Sequence, residues 1–142
     1  MKPLVATLEE QLIASFRELA KSICSQFSNV SAEVHSHSVG ALTENQGHLI
    51  GIDCLLLDAP DDQPDNVALS VDLQHLTTIP KVDADVCWGH PSGYIEAEFS
   101  SESLEVSDEV LRDLYSQLPR LCKSLIEAIG RRKPSNWDEA QA

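Results

Sequence analysis

Residues Val67–Leu76 read VALSVDLQHL, and their alternation decides the fold. Val67, Leu69, Val71 and Leu73 fall on one side of an extended chain, while Ser70, Asp72 and Gln74 fall on the other. Successive side chains of a strand point to opposite faces, so this is a strand with one face covered and one face wet. A sheet built from such strands needs an apolar cover on one side only.

The same reading extends in both directions. Residues 48–59, HLIGIDCLLLDA, are apolar on both faces apart from Asp53, as expected of a central strand. Before them Val30, Ala32 and Val34 alternate with Ser31, Glu33 and His35. Residues 82–88 and 94–99 complete five predicted strands, the last with Ile95, Ala97 and Phe99 opposite Tyr94, Glu96 and Glu98. Turn chemistry joins them. The segment DAPDDQPDN at 58–66 carries two prolines and four aspartates and reads as a solvated turn. In CWGHPSGY at 87–94, a proline second and a glycine fourth in HPSG suit a type I turn, with Gly93 free to take positive φ beside a bulge.

Helical spacing brackets the strands. From Leu4 to Phe27 the apolar positions Leu8, Leu12, Ile13, Phe16, Leu19, Ala20, Ile23, Cys24 and Phe27 recur every three or four residues. Thr7 with Glu10 forms a capping-box pattern that marks the start of this helix. Ser107 is the expected N-cap of a second helix, with Asp108 and Glu109 at its positive end and Val110, Leu111, Leu114, Leu118, Leu121, Leu125, Ile126 and Ile129 along its stripe. Pro119 removes a hydrogen bond from that stripe and predicts a kink, or two helices meeting near Leu118. Gly130, followed by Arg131, Arg132, Lys133 and Pro134, reads as its stop. The pattern predicts an α+β domain over residues 1–133: an antiparallel meander of about five strands with N-terminal and C-terminal helices on one face, followed by a flexible tail at 134–142.

The charge is distributed unevenly. The chain has 142 residues, 23 acids against 10 Lys plus Arg, and a net charge of −13, a balance that disfavours nucleic acids and anionic membranes and favours basic partners. Between residues 28 and 111 there are sixteen Asp or Glu and one basic residue, Lys81. The strand phases place Glu33, Asp72, Glu96 and Glu98 on the uncovered face, joined by Asp53, Asp83 and Asp85 and rimmed by the DAPDD turn. Solubility accounts for acidity in general. It does not account for the missing cations, because like charges on neighbouring strands cost stability that mixed signs would avoid.

Chemistry-bearing residues are few. Cys87 with His90 is the minimal kit for a thiolate nucleophile, but no orienting third residue or oxyanion hole accompanies it. His35 and His37 share a strand face and, with Asp53 or Asp72, offer two nitrogens and an oxygen to zinc, a spacing that permits a site without specifying one. Trp88 reads as core or as a contact anchor. Cys24, Cys54, Cys87 and Cys122 lie far apart with no C-x-x-C, which suits reduced thiols in the cytosol. No signal peptide, membrane span, phosphate loop or metalloprotease motif is read, and no cofactor or metal is expected.

These features lead to the expectation of a non-enzymatic acidic binding protein that engages a basic protein. In charge and size it resembles inhibitors such as bacterial immunity proteins. Alternatives are a small acidic secretion-chaperone-like protein or regulatory subunit, either of which could homodimerise through leftover apolar surface, and a hydrolase using Cys87/His90 or His35/His37.

Overall fold

In the computed structural model, residues 2–40, 46–59, 65–89, 93–100 and 106–131 are described. The elements run α1 (Lys2–Gln26), β1 (Val30–Val39), β2 (Gly47–Leu56), β3 (Asn66–Gln74), β4 (Lys81–Trp88), β5 (Ile95–Ser100) and α2 (Asp108–Arg131). The strands pair in chain order, β1-β2-β3-β4-β5, each antiparallel to the last. This is the predicted α+β meander.

Alternation builds the covered face. Ile50, Ile52 and Cys54 of β2, Val67, Leu69, Val71 and Leu73 of β3, and Val82, Ala84, Val86 and Trp88 of β4 are all buried on the same side. Each of the larger ones stabilises the fold by about 1.5–3 kcal/mol relative to an exposed side chain. Leu8, Leu12, Phe16 and Ile23 of α1 close over β1 and β2; Leu114, Leu121, Leu125 and Ile129 of α2 close over β3, β4 and β5. Both helices therefore lie on one side of the sheet.

Three local expectations are corrected. First, α1 begins at Lys2, so Thr7 and Glu10 are interior rather than a cap. Pro3 lies in the first turn, where a missing N–H costs nothing. Cys24 is exposed, so the buried stripe is narrower than its spacing suggested. Second, α2 is one helix through Pro119, which sits on its exposed side while Leu114 and Leu121 anchor the chain on either side. Third, β5 carries a bulge: Val86 pairs with Ala97 but Cys87 pairs with Ile95, so Glu96 is the extra residue. A bulge inverts the phase of what precedes it.

Other expectations hold. Ser107 Oγ accepts from the Val110 N–H at 3.3 Å, as an N-cap does. Gly93 has φ 61°, and Trp88 N–H donates to the Tyr94 carbonyl at 2.8 Å; residues 90–92, on which the type I turn reading falls, lie outside the described ones. The tail at 134–142 and the centre of the DAPDD turn also lie outside them.

Candidate functional site: an uncovered acidic sheet face

The face opposite the helices is assembled by register. Glu33 of β1 lies opposite Asp53 of β2, Asp72 of β3 opposite Asp83 of β4, and Asp85 of β4 opposite Glu98 of β5. Three cross-strand pairs thus set like charges side by side, an arrangement that costs stability. All six carboxylates share the uncovered face, because each is one residue out of phase with the buried set.

Neutral donors hold three of these groups, Asp53, Asp72 and Asp83, in place. Gln74 Nε2 bridges Asp72 Oδ2 and Asp83 Oδ2, both at 3.1 Å; Ser100 Oγ donates to Asp83 Oδ1 at 2.9 Å; Asn66 Nδ2 donates to Asp53 Oδ1 at 3.1 Å. Among the described residues none of the six is in an ion pair. The donors orient Asp53, Asp72 and Asp83 without neutralising them, and the one lysine or arginine on the described strands, Lys81, shares this face opposite Gln74. Burial holds the Asp85 carboxyl above the ordinary carboxylate range, and the charges of Asp72, Glu98 and Asp83 push it further.

The Asp85 shift has a measurable sign. A carboxyl that keeps its proton to higher pH in the fold than in the unfolded chain makes stability fall as pH rises between the two pKa values. Above that window ionised Asp85 destabilises the fold. Asp85→Asn is therefore expected to raise the denaturation midpoint at neutral pH, with the advantage closing as pH is lowered through the ordinary carboxylate range. Equal midpoints at neutral pH would contradict this reading of the face.

Glu96 is not part of the face. The bulge turns it to the helix side, where its side chain is 4% exposed, accepts from Trp88 Nε1 at 2.9 Å through Oε1, and pairs with Arg131 Nη2 at 2.7 Å through Oε2. Trp88 is buried with it and offers nothing to a surface partner. His90 lies outside the described residues. Ile95 takes the place expected for Glu96 on the uncovered face, beside Cys87.

The catalytic candidates gain no geometry. Cys87 is half-buried, its Sγ lies 3.3 Å from the Trp88 carbonyl, and burial, helped by the charge of Asp85, pushes its thiol up, away from the thiolate a nucleophile needs. The Cys54 thiol, desolvated and near Asp53, is pushed up to about 12. His35 and His37 do share the face, with ring centroids 5.4 Å apart, yet among the described residues no three His, Cys, Asp or Glu groups converge on a metal position. No described helix is long and apolar enough to cross a membrane.

A second polar cluster, not anticipated from the sequence, sits on the helix side. Ser36 Oγ donates to Glu9 Oε2 at 2.7 Å and lies 2.7 Å from His48 Nε2, beside a cavity of about 390 Å³ lined by Val5, Ala6, Gln46 and Leu76. With its one proton given to the carboxylate, Ser36 accepts from His48. The acid therefore binds the serine rather than the far nitrogen of the imidazole, which is not the order of a nucleophilic triad. A signal existed: Ser36 and His48 occupy the core-facing phases of β1 and β2, where apolar residues belong.

No family model matches this chain, and neither does any curated protein or solved structure.

Proposed function

We propose that this is a non-enzymatic cytosolic binding protein whose uncovered sheet face docks a basic protein, in the manner of an inhibitor or immunity-like protein. The observation that carries the reading is the set of three cross-strand carboxylate pairs, with Asp53, Asp72 and Asp83 held by amide and hydroxyl donors and none of the six in an ion pair among the described residues, although Lys81 shares the face. Such a face is under electrostatic strain when free and is relieved when Lys or Arg side chains arrive. Rigid strands present the charges at fixed spacing, which favours a folded partner surface over a flexible chain. Gln74, Asn66 and Ser100 restrain Asp53, Asp72 and Asp83, so those three side chains lose little entropy on docking.

The test compares the wild type with a variant carrying Asp72→Asn, Asp83→Asn, Asp85→Asn and Glu98→Gln. Both are used to capture proteins from a lysate of the source cell at low salt. The wild type is expected to retain a basic protein that elutes as salt is raised and that the neutralised variant does not retain. Equal retention by both chains would overturn the proposal.

A further inference from the structure

The two edges of the sheet are finished differently. β5 is six residues long, and Arg120 of α2 reaches it to donate to the Glu98 carbonyl at 2.9 Å. β1 is ten residues long, pairs with β2 in unbroken register, and among the described residues has no strand on its outer side. Edge strands are ordinarily blunted by lysine, proline, a bulge or a covering element, because their bare N–H and C=O groups template another strand. VSAEVHSHSV contains no lysine or proline, and Glu33 is its one acid.

We propose that the outer edge of β1 pairs antiparallel with β1 of a second copy of this chain, about a two-fold axis at Val34, to give a continuous ten-stranded sheet. The inference is independent of what the acidic face binds. Charge selects the register. Matching uncovered face to uncovered face allows only whole two-residue steps around the axis. An axis at Glu33 sets that carboxylate against its own copy, an axis at His35 sets imidazole against imidazole, and an axis at Ser36 sets His35 against His37 of the partner subunit. An axis at Val34 instead places Glu33 opposite His35 of the partner subunit, twice by symmetry, and Val34 opposite itself beneath the helices. His35 Nδ1 is buried without a hydrogen-bond partner in the single copy, and a carboxylate on the adjoining strand offers that ring an acceptor.

The helices fit the same arrangement. α1 lies over β1 and β2, and neighbouring strands are about 4.8 Å apart, so the two copies of α1 come to roughly 10 Å, the spacing of packed helices. The side of α1 toward the edge carries the small residues Ala14 and Ala20 together with Arg17, Glu18 and Lys21, whose opposite charges can pair between the two copies. Ala14 and Ala20, with Ala32 and Val34 of β1, line a groove of about 610 Å³ between helix and strand.

Sedimentation equilibrium of the full chain over a concentration series, with hydrogen exchange on the same samples, tests this. The expected result is a mass rising from 15.6 kDa to twice that, with β1 amides gaining protection as it does. Glu33→Lys is expected to weaken dimerisation about tenfold, and adding His35→Glu to recover it by reversing both pairs. Glu33 is exposed, so the fold should survive its replacement. A single-chain mass throughout, or a dimer whose β1 amides gain no protection, overturns the proposal. A β1-protected dimer indifferent to Glu33→Lys overturns the Val34 register.

Discussion

Trp88→Ala is expected to lower the free energy of unfolding by about 3–5 kcal/mol, the usual cost of removing a large aromatic from a core. Trp88 ends β4, is 1% exposed, and is among the largest fully buried side chains of the molecule. Its loss leaves a cavity between the sheet and α2, and also takes the indole donor from Glu96, a carboxylate with little access to water. Trp88→Phe separates the two effects. It keeps most of the ring but loses the N–H, and should cost about 1–3 kcal/mol through the unsatisfied acceptor and the smaller volume. Denaturant midpoints measure both. An unchanged midpoint for Trp88→Ala would mean that the β4 phase, and with it the assignment of the two faces, is wrong.

The second large effect concerns association. Once the basic partner is captured, its association rate constant is expected to fall by about 10- to 10³-fold between low ionic strength and about 0.5 M salt, because exposed charges are screened beyond a few ångströms there. The chain neutralised at Asp72, Asp83, Asp85 and Glu98 should start slower and show a flatter dependence. Dissociation should respond less, since steering acts on encounter. Stopped-flow rates independent of salt would show that the six carboxylates do not guide the partner, whatever else they do.

Much of this was legible before any coordinates. Period-two alternation in Val67–Leu73 and spacing of three and four in Val110–Ile129 are local properties, set by where successive side chains point, and they survived unchanged. Six of the seven acids assigned to the face by strand phase, Glu33, Asp53, Asp72, Asp83, Asp85 and Glu98, are on it. The misplaced one, Glu96, shows the limit. Phase is transmitted along a strand only while pairing is regular, and one extra residue in β5, Glu96 opposite the Val86–Cys87 step, inverts what precedes it. Whether that residue bulges depends on the neighbouring strand and on what Arg131 and Trp88 offer across the core, 35 and eight residues away in the chain.

Helix boundaries failed for a related reason. A capping pattern such as Thr7–Glu10 is a local option that packing overrules when the preceding turn has apolar contacts of its own, as Leu4 and Val5 do against the core. Pro119 likewise costs one backbone bond, but the buried leucines on both sides hold the helix through it.

By itself, then, the sequence determined the kinds and order of the elements, the segregation of acids from bases, and the face most of those acids share, because each follows from periodicity within one strand or helix. Only the tertiary structure decided the pairing of Glu33 with Asp53 and of Asp72 with Asp83, the withdrawal of Glu96 into an ion pair with Arg131, and the meeting of Ser36, His48 and Glu9. Those depend on register and on contacts between residues distant in the chain, and no local repeat encodes them.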